Sequence, residues 1–141
     1  MEQPCLIEGG AFEDHRGRLC FNNTFDGSQV KRIYTIQNKE TDFVRAWQGH
    51  KIEQRWFSAM SGAFKLKLIA VDNWEAPSRN LTQHTFVLSE DSLDILWVPA
   101  GYISSIQSLK PGSKLLVMAD YALGEVKDEY RYDADYFREM N

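Results

Sequence analysis

The sequence predicts a single all-β domain, an expectation carried by three observations. Short runs rich in β-branched and aromatic residues recur at a spacing of roughly ten residues, turn signals separate them, and no convincing helical period occurs before residue 122. Cys5 to Gly10 reads as a short strand closed by Gly9-Gly10, and Arg18 to Asn22 follows the turn Asp14-His15-Arg16-Gly17. Lys31 to Ile36 alternates. In the next run Phe64, Leu66 and Leu68 alternate with Lys65, Lys67 and Ile69, the lysines marking a wetted face. Thr85 to Leu88, Ile95 to Val98, Ile106 to Leu109 and Leu115 to Tyr121 complete the strands, a pattern that fits a sandwich or a barrel. Pro111-Gly112 occupies the two central positions of a type II turn, a tight connection between two of these runs. Only the tail departs from strand character: Asp133 is expected to cap a short C-terminal helix through Tyr136, Phe137 and Met140.

At 141 residues the chain is most simply one domain, spanning 1–141. A domain of that size buries roughly 68% of the surface its unfolded form exposes, so no staple is required. The net charge of −4 argues against a nucleic-acid footprint. Cys5 and Cys20 lack CxxC or Cys/His spacing, which speaks against structural zinc and against a disulfide framework, and fits a reduced, cytoplasmic setting. The N-terminus has no basic region before an apolar core, and no run approaches the ~18 apolar residues of a spanning helix, so a soluble protein with no membrane partner is expected.

The stretch Val44 to Gly62 packs unlike chemistries together: Arg45, Gln48, His50, Lys51, Glu53, Gln54 and Arg55, then the apolar run Trp56 to Met60. Alternation points Gln48 and His50 to one face, as a β-barrel furnishes its interior, and by the same parity turns Lys51 and Arg45 away from His50. A solvated edge strand with scattered charges is the alternative. His15 and His84, alone in a turn and at a strand start, read as surface residues.

Two stretches resemble the signatures of cupins, two-sheet jelly rolls that carry an H-x-H pair followed by an acid and a glycine, and later P-x-G with a histidine three residues on. Here they read Gln48-Gly49-His50 with Glu53 and Gly62, and Pro99-Ala100-Gly101 with Ser104. Two imidazole positions are therefore lost. At best His50 and Glu53 remain as donors, and no bound catalytic metal and no cofactor are expected.

Asp14 to Leu19, Lys31 to Ile36, VRAWQGHK, WVPAGYISS and LLVMADY, in that order, resemble the dTDP-sugar 3,4-ketoisomerases, the WxcM-like group of cupins, and their relatives the dTDP-4-dehydrorhamnose 3,5-epimerases. The resemblance spans roughly residues 5–137 and implies a cupin (RmlC-like) jelly-roll barrel of antiparallel strands. It implies substrate-binding roles for Arg16, on the D-x-R-G turn that contacts diphosphate across a dimer, and for Arg45, Gln48 and Arg55. A guanidinium fork suits phosphate or an oxyanion. The epimerases' catalytic histidine falls on Gln48 and their tyrosine near Leu116, so 3,5-epimerase chemistry is not expected. His50 is the internal histidine that could move a proton between neighbouring sugar carbons, with Tyr34 as proton relay or as a packed aromatic. Of Trp47, Trp56, Trp97 and Tyr102, at most two are expected to touch ligand, Tyr102 at the mouth foremost.

The resemblance thus implies a cytoplasmic, metal-independent isomerase of a dTDP-4-keto-6-deoxyhexose, serving surface polysaccharide synthesis and homodimeric through an exchanged N-terminal strand. The alternative is a cupin that binds a sugar nucleotide without turning it over. Gln48 and Ser104 keep that alternative open, since an amide bonds a hydroxyl but cannot take a proton from carbon.

Overall fold

The computed structural model describes residues 2–139. Their chain order is β1 (Cys5–Ile7), β2 (Gly10–Asp14), β3 (Gly17–Phe21), β4 (Arg32–Ile36), β5 (Val44–His50), β6 (Arg55–Ser61), β7 (Ala63–Ala70), β8 (His84–Ser89), β9 (Ile95–Val98), β10 (Tyr102–Ser108), β11 (Lys114–Ala119) and β12 (Tyr130–Arg131). Two five-stranded antiparallel sheets, β1-β9-β6-β11-β4 and β12-β5-β10-β7-β8, face one another, and β2-β3 forms a separate hairpin. This is the all-β jelly roll expected of the sequence.

The period-2 pattern decides which side chains go inside. Phe64, Leu66 and Leu68 of β7 meet Phe57, Leu96, Leu115 and Val117 of the opposite sheet in one core, and all seven are buried. Ile69 and Ile103 point to the other side of their sheet, where Trp47, Val71 and Phe137 cover them. Trp56, Ile95 and Met118 form a third cluster on the back of the first sheet, flanked by Phe25, Val30 and Leu116. The Pro111-Gly112 turn forms as expected, with Gly112 at φ +74°.

The structure divides one stretch of the sequence into two strands and adds two strands that the sequence does not announce. Val44–Gly62 holds two strands, β5 and β6, separated by the turn over 51–54. Gly10–Asp14 is a strand of its own and pairs residue for residue with Gly17–Phe21, which leaves Phe12 and Leu19 opposite each other and 55% and 62% exposed. The short strand β12 was not expected at all.

The C-terminal helix does not form. Tyr136 N–H bonds back to Asp133 O in a single turn, but Arg138 N–H donates instead to Arg79 O at 2.7 Å, and Gln83 Nε2 donates to Arg138 O at 2.7 Å. Tyr136 and Phe137 stack edge-on, 4.9 Å apart, and Phe137 packs on Trp47. Aromatic burial and bonds to the neighbouring loop therefore outcompete the intrahelical ladder. Met140, the last residue of the expected helix, lies outside the described residues.

One glycine sets how closely the second sheet closes. A Cβ on Gly49 would overlap the carbonyl oxygen of Tyr102 and the Cα of Ile103 across the β5–β10 pair. Gly49→Ala is expected to cost about 1–3 kcal/mol by forcing backbone apart. Leu66→Ala, at a fully buried position, is expected to cost about 2–5 kcal/mol. Urea unfolding measures both, and a midpoint unmoved in either variant would contradict the packing described.

Candidate active site

A cavity opens between the sheets, lined by Tyr34 and Ile36 of β4, Arg45, Gln48 and His50 of β5, Glu53 of the 51–54 turn, Arg55 and Phe57 of β6, and Tyr102, Ser104 and Ile106 of β10. Its mouth is rimmed by Arg32 and Arg131 and by residues of the segment 122–129.

β5 supplies three polar groups to this one cavity, which strict alternation forbids. The register explains it. Gln48 lies opposite Ser104 and Arg45 opposite Ile106, so three steps along β5 match two along β10. Ala46 and Trp47 together face Ser105 as a β-bulge. The extra residue returns Arg45 to the face of Gln48 and His50, correcting the expectation that it turns away. Lys51 does point outward and is exposed.

The polar groups form a chain of contacts. His50 Nδ1 lies 2.9 Å from the main-chain oxygen of Asp128 and 3.5 Å from Glu53 Oε2. A carbonyl can only accept, so in the neutral ring the proton sits on Nδ1 and Nε2 keeps its lone pair. Glu53 Oε1 accepts from Arg55 Nη1 at 3.0 Å, and Arg55 Nε donates to Tyr34 Oη at 3.3 Å. The side chains of His50, Glu53 and Arg55 are only 12%, 11% and 8% exposed. Gln48 donates its amide to Glu129 Oε1, and Ser104 Oγ donates to Gln48 O at 3.3 Å.

Burial, and after it the Arg55 cation, push the His50 imidazole below its ordinary value of 6.5, against the opposing pull of the Asp128 carbonyl and the Glu53 and Asp128 charges. The ring is thus uncharged at neutral pH, with Nε2 free to accept a proton, beside a permanent guanidinium charge.

Of the other sequence candidates, Arg16 and the tryptophans fall elsewhere, while Tyr102 lines the cavity from its inner side. Arg16 sits at the tip of the β2-β3 hairpin, 77% exposed, paired with Asp14 at 2.8 Å and away from this chain's own cavity. Tyr102 is not at the mouth: it is 3% exposed, part of the core, and its hydroxyl donates to Glu2 O at 3.0 Å. No tryptophan lines the cavity. Trp47 and Trp56 fill the outer clusters, and Trp97 donates its indole N–H to Gln54 Oε1 at 2.8 Å. His15 is exposed and His84 half-buried.

Asp128 and Glu129 went unnoticed in the sequence because they belong to no motif and lie 78 and 81 positions from their partners. A charged pair just before Tyr130 gives no periodic signal, and only the pairing of β12 with β5 brings it to the cavity.

His50, Glu53 and Asp128 present donor atoms within 4.8 Å of one another, the nearest approach to a metal-ligand set among the described residues. The set does not fit a transition ion. Nδ1 of His50 faces a carbonyl, Glu53 holds Arg55, and both oxygens of Asp128 accept main-chain N–H groups of residues 51–53. A cation there would also meet the Arg55 charge.

Between the lowered value of His50 and 6.5, the unfolded chain binds a proton that the folded chain refuses. Folding stability therefore falls as pH drops through that window and is regained above it. His50→Gln is expected to flatten this part of the profile in urea unfolding, and identical slopes in the two proteins would contradict the assignment.

Comparison with known proteins places this architecture. The family model described as "FdtA: WxcM-like, C-terminal" matches residues 3–141. A mutant of the 3,4-ketoisomerase QdtA from Thermoanaerobacterium thermosaccharolyticum, solved with TDP-4-keto-6-deoxyglucose, superposes with a TM-score of 0.70 at 22% identity, over 96% of this chain and 92% of that one. The TDP-quinovose 3,4-ketoisomerase WlaRB from Campylobacter jejuni gives 0.69 at 20% identity, over 99% and 100%. The rmlC epimerase of Mycobacterium tuberculosis gives 0.73 at 12% identity, over 93% and 69%. Among curated proteins none matches the chain.

Proposed function

This chain belongs to the FdtA: WxcM-like, C-terminal family, and we propose that it is a nucleotide-sugar isomerase that moves the ketone of a dTDP-4-keto-6-deoxyhexose from C4 to C3 without a metal. One observation carries the proposal: a single buried imidazole in the cavity, with Nδ1 committed to a carbonyl and Nε2 left as a base, stands beside a fixed cation.

The chemistry needs little else. Nε2 of His50 takes the proton from C3, which the C4 carbonyl acidifies, and the C–H electron pair becomes the C3–C4 double bond as charge moves to the C4 oxygen. Arg55 stabilises that oxyanion. Tyr34 accepts from Arg55 through its oxygen, so its own hydrogen is available to relay a proton between the two oxygens. The imidazolium then returns its proton to C4, and C3 becomes the ketone. No net oxidation occurs and the base is regenerated. Gln48 and Arg45 would hold sugar hydroxyls and the near phosphate, while Tyr102 shapes the floor.

Arg16 could reach a diphosphate only in a second copy's site, so its role belongs with a homodimer in which an N-terminal strand is exchanged. The exposed pair Phe12 and Leu19 on the hairpin supports such a cover. No helix among the described residues is long and apolar enough to cross a membrane. A cytoplasmic role in polysaccharide synthesis is part of the same proposal.

Proton NMR of dTDP-4-keto-6-deoxyglucose with the protein in deuterated water tests the reaction. Loss of the C3 proton signal and growth of a 3-keto product are expected, with both abolished in His50→Ala. The acidic limb of kcat/KM is expected below 6.5, following the lowered imidazole. Line broadening without exchange would sink catalysis and leave a sugar-nucleotide binding protein. Absence of both would reject the ligand class.

A further inference from the structure

We propose that Asp128 is the positioning residue of this site: its main-chain carbonyl fixes His50 as the Nδ1–H tautomer, and its buried carboxylate latches that carbonyl in place. The role rests on His50 being the base of the isomerisation proposed above.

Asp128 is 3% exposed and makes no ion pair with a lysine or arginine among the described residues. Its carboxylate instead accepts three consecutive amides: Lys51 N–H at 3.0 Å on Oδ1, and Ile52 N–H and Glu53 N–H, each at 2.8 Å, on Oδ2. These amides follow His50 directly. The turn that carries the chain away from the imidazole is therefore wrapped around the same residue whose carbonyl receives the imidazole proton at 2.9 Å. Ring and acceptor are held at the two ends of one clamp.

The neighbouring pairs extend it. Tyr130 and Arg131 pair with Gly49 and Gln48, and Glu129 accepts from the Gln48 amide, so the segment 128–131 holds two of the three inward polar side chains of β5, Gln48 and His50. Any residue at 128 would offer a carbonyl. Only one with a short acceptor side chain satisfies the three amides that fix where that carbonyl stands. Without it the amides hydrate, the carbonyl shifts, and the ring is free to place its proton on Nε2. An Nε2–H imidazole is a donor at the position where a base is required. Glu53 Oε2, 3.5 Å from the same nitrogen, reinforces the tautomer but sits too far to impose it alone.

Nitrogen-15 NMR of the full chain with labelled histidine reads the tautomer directly, the His50 signals being identified by their loss in His50→Asn. At neutral pH the wild-type ring is expected to show an unprotonated Nε2 and a protonated Nδ1. Asp128→Ala is expected to give a mixture of tautomers and to lower kcat by on the order of tenfold to a hundredfold with little change in KM. Asp128→Asn, which keeps one carbonyl oxygen for the turn, is expected to fall between the two and serves if Asp128→Ala does not fold. A wild-type ring protonated on Nε2 would overturn the proposal, as would an Asp128 variant that keeps both the tautomer and kcat. If the wild-type protein shows no isomerisation, that failure falls on the reaction, and the wild-type spectrum still decides whether the Asp128 carbonyl fixes the ring.

Discussion

The pairing of β5 with β10 is the constraint on which the rest of the molecule depends. Gly49 allows the two backbones to close over Tyr102 and Ile103, and one residue pair further on the bulge at Ala46 and Trp47 resets the parity. These adjacent irregularities divide the labour of a single strand. Trp47 is thrown outward into the aromatic cluster with Phe137, while Arg45, Gln48 and His50 all turn inward. A regular strand could place two of the three polar groups in the cavity, not all three.

What sets the protonation pattern of the cavity is the cost of burying charge in it. Arg55 cannot give up its proton, so it is retained by Glu53, the Gln54 carbonyl and the Tyr34 hydroxyl. Glu53 in turn is tied to Arg55 through Oε1. His50 can respond to the low dielectric by staying neutral, and it does. A fixed positive charge beside an uncharged base is the arrangement that abstraction of a proton next to a carbonyl requires, and it follows from which group can shed its charge and which cannot.

Most of the architecture was legible because alternation is a strong signal in this chain: Phe64-Lys65-Leu66-Lys67-Leu68 declares its inner and outer faces without ambiguity. The resemblance in five ordered stretches named the jelly roll, and His50, Gln48 and Arg55 were singled out on the strand pair that carries them. Arg45 was misplaced because parity arguments assume an unbroken register, and Ala46-Trp47 carries no glycine or proline to announce a bulge. The helix expected from Asp133 was drawn from a capping residue and two aromatics. Those rings are better buried against Trp47 than arrayed on a helix surface. Asp128 escaped because an acid that caps a distant turn looks, in sequence, like any other acid.

The distance along the chain between the two halves of the site also has a consequence in time. His50 and the carbonyl that holds it are 78 positions apart. A ribosome adding about 5–20 residues per second presents His50, the end of β5, on the order of 4–16 s before it presents Asp128. Throughout that interval the carboxylates that accept from the three amides after His50 and from the amide of Gln48 have not yet been made. The cavity is therefore completed well after the strand that carries His50 has been made, when the segment leading into β12 arrives to finish the sheet.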